Sequence, residues 1–198
     1  MLLATACWAA PPTVIQRGQL GPVKTRMTHG DLEKLTGSAD LADGTVKSED
    51  IPATTGQESR ECTDLWASQP TRHIRVLWGS AQKVDLAILT GQASVYRTGD
   101  GITLGTTLRE LEKLNGKPFK MSGFGWTYGG RITDWNEGKL QNKLKGIGLG
   151  LEFEPLRWTR LPDQGQSLTG DRFLLSSEPE LHRLDPHVER IEVDLSAR

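Results

Sequence analysis

The sequence predicts an α+β protein made of two repeats, each a short helix followed by antiparallel strands, that share one sheet and one core. Three observations favour this fold class: a capped two-turn helix at 107–116, a close match to it at 28–37, and several stretches in which apolar and polar residues alternate. We expect a signal remnant or linker over residues 1–12, a first repeat over 13–100 and a second over 101–198, together forming one compact unit.

The helix at 107–116 carries its own start and stop signals. Thr107 and Glu110 have the spacing of a capping box, in which the hydroxyl accepts a first-turn amide and the carboxylate accepts the amide of the cap residue. Three leucines at a spacing of three then fall on one side of the helix. Gly116 supplies a left-handed C-cap, and Pro118 prevents the helix from resuming.

Residues 28–37 match residues 107–116 in register. The cap threonine, the acidic residue three positions later, two leucines, a Glu-Lys pair and the final glycine all recur. This indicates an internal duplication of an α+β half-domain, with a period too long for a solenoid. The alternative is that two short helices share common capping residues, since Leu-Glu-Lys-Leu is a frequent helical string.

The remaining elements are mostly strands bounded by turn residues. Alternation at period two, or strand-rich composition, predicts strands at 13–16, 62–66, 73–78, 84–89, 94–97, 119–124, 131–135, 144–153 and 188–195. The turn Tyr128-Gly129-Gly130 makes the strands on either side of it a hairpin. Residues 38–60 read as a long polar loop with at most an edge strand, and a short helix is expected around 179–184.

Two irregularities in these strands predict local features. Gly146, Gly148 and Gly150 leave one face of the strand at 144–153 without side chains, which lets another backbone or a helix approach closely. The alternation of the last strand slips at Arg190-Ile191, which indicates a β-bulge.

Composition and charge exclude several classes of protein. The 198 residues carry a formal net charge of −1, which argues against a general nucleic-acid binder. No apolar run approaches the roughly 20 residues that a membrane-spanning helix needs. With 22 glycines, 10 prolines and 36% hydrophobic residues, the chain suits a loop-rich α+β protein better than a helical bundle.

The first residues resemble the end of a bacterial secretion signal. Ala4-Thr5-Ala6-Cys7 is similar to a lipobox, whose cysteine becomes lipidated, although Ala stands where Leu is usual. The apolar stretch is short and no basic region precedes it, so we expect the start to be assigned late, inside the signal. This predicts an extracytoplasmic protein, periplasmic, outer-membrane-anchored or secreted, with Cys7 as its lipidation site. The alternatives are a tail with a chance cysteine and a disulfide between Cys7 and Cys62.

Two resemblances rest on these residues. The helix entry resembles that of the β-lactamase-inhibitor-protein-like fold, which also includes small outer-membrane assembly lipoproteins, at Gly105, Thr106, Thr107, Glu110, Leu111, Leu114, Gly116 and Pro118. The chain is also similar to a group of uncharacterised bacterial secreted proteins in the stretches 111–119, 123–126, 73–78 and 188–195. The first resemblance implies a tandem helix-plus-sheet unit with an aromatic-rich concave face that contacts a partner. The second implies the compartment and no particular activity.

The stretch 123–130 is the most unusual in the chain, and it predicts a binding surface. Trp126, Tyr128 and Trp135 lie on or beside neighbouring predicted strands and would line one sheet face, where aromatic anchors often carry protein–protein affinity. We therefore expect a protein partner in the cell envelope, with its identity and the oligomeric state left open. The alternative is that these rings pack on the short helices as core.

No catalytic, metal or cofactor site follows from the sequence. None of the four histidines pairs with another at i+2 or i+4, so a metal site would need them gathered from distant parts of the fold: His29, His73, His182 and His187. Cys62 lies in a strand-like segment without a feature that would lower its pKa. The sequence thus favours a non-catalytic binding or envelope-associated module. The alternative is a hydrolase with its site in a cleft between the repeats and Asp134 or Glu154 as acid or base.

Overall fold

The structure is a computed structural model, which describes residues 13–47, 59–126, 128–153 and 165–196. It is an α+β protein with mostly antiparallel sheets and few helices. The helices are α1 (His29–Thr36), α2 (Leu108–Asn115), α3 (Leu140–Lys143) and α4 (Pro179–Leu184), with 3₁₀ turns at Ser38–Asp40 and Gln166–Leu168. The strands are β1 (Val14–Gln16), β2 (Gln19–Leu20), β3 (Val23–Lys24), β4 (Leu41–Lys47), β5 (Ser59–Leu65), β6 (Ile74–Trp78), β7 (Val84–Thr90), β8 (Arg97–Thr98), β9 (Lys120–Ser122), β10 (Ile132–Asp134), β11 (Ile147–Glu152), β12 (Phe173–Leu175) and β13 (His187–Asp194).

The largest sheet has six strands in the order β11-β13-β7-β6-β5-β4, and every neighbouring pair is antiparallel. It draws β4 to β7 from the first half of the chain and β11 and β13 from the second. β4 is the edge strand within the polar stretch 38–60. Between β11 and β13 the register shifts, so that Gly150 faces Arg190 while Leu151 faces Val188. The predicted bulge in the last strand is therefore present, one residue earlier than the slip in alternation.

Two smaller sheets complete the fold. The three-stranded sheet has the order β10-β9-β12, and its β9–β10 pair is the predicted hairpin. The four-stranded sheet has the order β3-β2-β1-β8, in which β1 and β8 run parallel. These two short sheets and the helices lie on the same side of the six-stranded sheet, because all of them contribute to one apolar core.

That core connects every sheet. Ile15 of β1, Leu32 of α1, Val76 of β6, Leu111 of α2 and Met121 of β9 belong to one cluster and are each at most 1% exposed. A smaller cluster covers the opposite face of the six-stranded sheet. It consists of Val46, Cys62, Leu77, Leu86 and Ile88.

The two matching helices have the predicted bounds but unlike surroundings. Both begin with a capping box, at Thr28 and Thr107. Helix α1 leads into β4 at the edge of the six-stranded sheet, whereas α2 leads into β9 of the three-stranded sheet. Leu35 in α1 is 40% exposed, whereas its counterpart Leu114 packs against the core. The capped helices are thus similar, and the duplication of the units that contain them is not confirmed.

Candidate functional site

An aromatic pair projects from the loop between β9 and β10. The rings of Trp126 and Tyr128 meet edge to face with centroids 5.2 Å apart, and the residues are 37% and 40% exposed. Trp126 donates from Nε1 to the carbonyl of Gly123 at 2.8 Å, and Ser122 Oγ donates to the carbonyl of Tyr128. These bonds fix the loop against the end of β9, so the pair is held in place although it is exposed.

The glycine at the base of this loop is sterically required. A Cβ on Gly123 would lie 2.6 Å from the carbonyl oxygen of Gly170, a distance that no side chain permits. The Gly123 amide donates to the carbonyl of Arg172 at 2.8 Å. The loop carrying Trp126 is thereby joined to the segment that enters β12.

Strand β12 adds two apolar side chains on the same face. Phe173 stands directly opposite Ser122 and Leu175 directly opposite Lys120, so each pair shares one face of the sheet. Phe173 is 74% exposed and Leu175 is 39% exposed. The Ser122 hydroxyl on that face bonds the Tyr128 carbonyl, which ties the aromatic loop to it. We call the four exposed side chains of Trp126, Tyr128, Phe173 and Leu175 the aromatic surface.

One residue of β12 has a backbone N–H and C=O that face away from the sheet. β12 is the edge strand of its sheet. Alternate residues along it form backbone hydrogen bonds toward β9 and the residues that flank β9, and Arg172 and Ser176 do so at 2.8 Å. The N–H and C=O of Phe173 therefore point to the free edge. The corresponding groups of Leu175 are occupied, since its N–H donates to Glu178 Oε1 and its C=O accepts from the Glu178 N–H, both at 2.9 Å.

Trp135 does not lie on the aromatic surface. It is 8% exposed and packs against Phe119, with ring centroids 5.2 Å apart. Its carbonyl accepts from the buried Asn115 Nδ2 at 2.9 Å, which holds the end of β10 against α2. The three aromatic residues predicted to act together are thus divided, with Trp135 in the core and Trp126 and Tyr128 at the surface.

Charged groups border the aromatic surface. Lys120, on the same face of β9, pairs with Asp134 at 3.3 Å. The backbone hydrogen bond from Asn136 and the Lys120 ammonium lower the pKa of Asp134, so this carboxyl is ionised at neutral pH. A general acid at neutral pH needs the opposite shift. Glu154, the other carboxylate of the hydrolase alternative, lies outside the described residues.

Asp134 also lines a cavity of about 540 Å³ beside the six-stranded sheet. Its walls carry both signs of charge, including the ion pairs Arg60–Asp85 at 2.7 Å and Arg131–Glu192 at 2.9 Å. The cavity lies between strands from the two halves of the chain. The carboxylates Asp85 and Glu192 in it are each held by a guanidinium.

One further cluster contains the residue types of a nucleophile triad. Ser176 Oγ donates to Glu112 Oε1 at 2.6 Å, and His182 Nε2 lies 2.8 Å from Glu112 Oε2. The carboxylate therefore stands between the hydroxyl and the imidazole, whereas a triad needs the imidazole in the middle. Ser176 is fully buried and accepts the Phe119 amide at 2.9 Å. This cluster ties α2 to α4 and does not expose a nucleophile.

The structure describes one of the two cysteines. Cys62 is a free, buried thiol, and burial raises its pKa, so it is a thiol rather than a nucleophilic thiolate at neutral pH. Cys7 lies outside the described residues.

In the part of the chain that the structure describes, no group of three or more His, Cys, Asp or Glu side chains is placed to hold a metal ion. None of the helices described has both the length and the apolar character of a membrane span.

Sequence reasoning missed Phe173 and Leu175. In the sequence they form a wholly apolar triplet with Leu174, and such a run indicates a buried strand. In the structure only Leu174 faces the core, at 1% exposed. No local signal could have found them, because the edge position of this strand is set by its pairing with β9.

No protein-family model, curated protein or solved structure matches the chain.

Proposed function

We propose that this chain is a non-catalytic binding module of the bacterial cell envelope that contacts a protein partner through the aromatic surface. The observation that carries the proposal is the exposure of four large apolar side chains, two on one face of β12 and two on the loop tied to it, with Phe173 at 74%. Exposed apolar side chains that cluster and are bordered by charge are typical of protein–protein contact sites.

The local geometry supports a protein as the ligand. Before any partner arrives, the Trp126 ring is held by its bond to the Gly123 carbonyl and the Tyr128 backbone by the bond from Ser122, so less conformational entropy is lost on binding. Next to them, the free N–H and C=O of Phe173 provide one backbone donor and one acceptor at a strand edge. A polypeptide can use the rings and the edge together.

The compartment and the anchor belong to the same proposal. They are supported by the lipobox-like Ala4-Thr5-Ala6-Cys7 and by the resemblance to envelope proteins. Mass spectrometry of the protein extracted from its native membranes tests the anchor. Acylated Cys7 is the expected result, and an unmodified Cys7 in the mature protein would remove the anchor from the proposal.

The tandem arrangement remains part of the proposal as well. It is supported by the two capping boxes, in which Asp31 accepts the Thr28 N–H at 3.0 Å and Glu110 accepts the Thr107 N–H at 2.8 Å. Each helix would then present its half of the chain to the common core.

The binding proposal is tested by partner capture with matched variants. Wild type, a Trp126→Ala/Phe173→Ala double variant and a Leu35→Ala control are used as baits on chemically cross-linked envelope extract, with quantitative mass spectrometry as the readout. Leu35 is an exposed leucine on α1, so its loss removes apolar surface elsewhere. We expect a partner that the wild type and Leu35→Ala recover equally. The double variant should lose it by about tenfold or more, since removing two anchors costs more than the 1.4 kcal/mol that one decade requires. Equal recovery by all three baits would disprove the proposal.

A further inference from the structure

A second site lies away from the aromatic surface, where four chain segments converge on a cavity of about 640 Å³. Arg17 comes from the β1–β2 turn, Arg26 from the end of β3, Lys145 from the turn before β11 and Ser196 from the segment after β13. A cavity of this volume has the size of a small-molecule site.

The three basic side chains that line it have no internal partner. Among the residues that the structure describes, neither Arg17, Arg26 nor Lys145 forms an ion pair with a carboxylate. The one carboxylate in the lining, Asp194, is occupied by Ser196, whose N–H and hydroxyl donate to Oδ1 at 2.9 Å and 2.5 Å. Among the described residues, the lining thus carries three cationic side chains and one carboxylate, an excess of positive charge.

Two glycines at this site have backbone conformations that favour glycine. A Cβ on Gly146 would lie 3.7 Å from Cγ of Arg17 and 3.9 Å from Cβ of Asp194, and a Cβ on Gly18 would lie 3.2 Å from Cγ2 of Thr25. Both glycines have positive φ, 79° and 72°, so side chains are disfavoured there for conformational reasons too. The Thr25 N–H donates to the Gly18 carbonyl at 3.1 Å, which brings the turn with Arg17 beside Arg26.

The neighbouring cavity limits what else the ligand can contain. The cavity of about 540 Å³ shares Lys145, Gly146, Asp194 and Ser196 with this one, so the two adjoin. It presents the carboxylates of Asp85, Asp134 and Glu192. Each of them is paired with a cation, so this cavity suits an uncharged part of a ligand, whose hydroxyls the carboxylate oxygens can accept as hydrogen-bond donors.

We propose that this basic cavity binds the phosphate or sulfate ester group of a small polyhydroxy compound, whose uncharged remainder extends along the adjoining cavity. Guanidinium and ammonium groups recognise such oxyanions by charge-assisted hydrogen bonds. The site is independent of the aromatic surface, so each can be tested without the other.

The test is binding of four probes measured by isothermal titration and by amide chemical shifts in ¹⁵N-labelled protein. The probes are glucose 6-phosphate, glucose 6-sulfate, inorganic phosphate and glucose. We expect saturable binding of at least one ester, weaker binding of inorganic phosphate and no binding of glucose. The shifts should centre on the amides of Gly18 and Gly146. The relative affinity of the two esters identifies the preferred oxyanion.

Two triple variants with the same change in net charge decide whether the site is responsible. Arg17→Gln/Arg26→Gln/Lys145→Gln should weaken ester binding about tenfold or more, because the charge-assisted hydrogen bonds to the oxyanion are lost. The control, Lys83→Gln/Lys113→Gln/Lys117→Gln, removes three exposed cations that line neither cavity and should bind as the wild type does. Absence of saturable ester binding, or an equal loss in both triple variants, would overturn the proposal.

Discussion

The guanidinium of Arg131 lies 2.9 Å from the carboxylate of Glu192, whose side chain is only 4% exposed. Arg190 lies on the other side of that carboxylate, with Nη1 at 3.6 Å. Gly148 makes this arrangement possible, because a Cβ there would lie 3.0 Å from Arg131 Nη2 and 3.4 Å from Glu192 Oε2. The glycine face thus meets charged side chains, the ion pair at Gly148 and Arg190 at Gly150, where the sequence predicted a backbone or a helix.

Removing Arg131 should destabilise the protein strongly. Arg131→Met leaves the buried Glu192 carboxylate with the more distant Arg190, and breaking a buried ion pair on one side costs about 3 kcal/mol. The measurement is urea unfolding of the variant and the wild type at neutral pH. The double variant Arg131→Met/Glu192→Met should recover most of the loss, because no buried carboxylate is then left without its closest guanidinium. A loss of less than about 1 kcal/mol in the single variant would show that the pair is not energetically buried.

Asn115 bonds to three segments of the chain, so replacing its side-chain amide by a carboxylate should lower stability. Its Nδ2 donates to the carbonyls of Lys117 and Trp135 at 2.8 Å and 2.9 Å, and its Oδ1 accepts the Leu140 amide at 3.2 Å. Asn115→Asp keeps the shape but removes both donors and buries a charge at 1% exposure. We expect a loss of about 3 kcal/mol or more in the free energy of unfolding.

The control for this change is the matching position in the first helix. Thr36 is half-buried and bonds the carbonyls of Leu32 and Gly37 through its hydroxyl. Thr36→Ala should cost about 1 kcal/mol or less, since one local hydrogen bond is lost. Similar losses at both positions would contradict the difference in surroundings that separates the two helices.

These two positions show what the sequence can predict here. Both helices have the predicted bounds because a capping box and a terminal glycine act over one or two turns. The sequence did not predict that Asn115 would be buried between β10 and α3, because that depends on residues about 20 positions away along the chain. The same holds for the aromatic surface, since the exposure of Phe173 follows from its edge position beside β9, which no local pattern encodes. The capped helices could be predicted from neighbouring residues, whereas the burial or exposure of individual apolar residues could not.

The ion pairs of Asp64 predict a loss of stability in acid. Burial raises the pKa of this carboxyl, but His73 and the two bonds from Arg75 at 2.8 Å and 2.9 Å more than offset that, and its pKa falls from 3.8 to about 2. A carboxyl with a lowered pKa in the folded state stabilises the protein above its unfolded pKa and loses that contribution as the pH falls through the folded one.

The corresponding measurement compares Asp64→Asn with the wild type by urea unfolding at pH 5 and at pH 2. At pH 5 the variant should be less stable by up to about 2 kcal/mol, the value of a shift of nearly two pKa units. At pH 2 the difference should shrink by at least half, because the wild-type carboxyl is then substantially protonated. A difference that is independent of pH would mean that Asp64 acts through its shape alone.

The division of the aromatic residues into surface and core can be tested without a partner. Phe119 is fully buried and Phe173 is 74% exposed, so substitution to Ala should destabilise the protein strongly at Phe119 and hardly at all at Phe173. Phe119→Ala should cost about 3–5 kcal/mol because it opens a cavity in the core. Phe173→Ala should change the free energy of unfolding by about 0.5 kcal/mol or less. Trp135→Ala should likewise cost more stability than Trp126→Ala. Trp126→Ala should in turn cost more than Phe173→Ala, because its Nε1 bond to Gly123 is lost. If Phe173→Ala were as destabilising as Phe119→Ala, Phe173 would be a core residue, and no surface would remain there for a partner to bind.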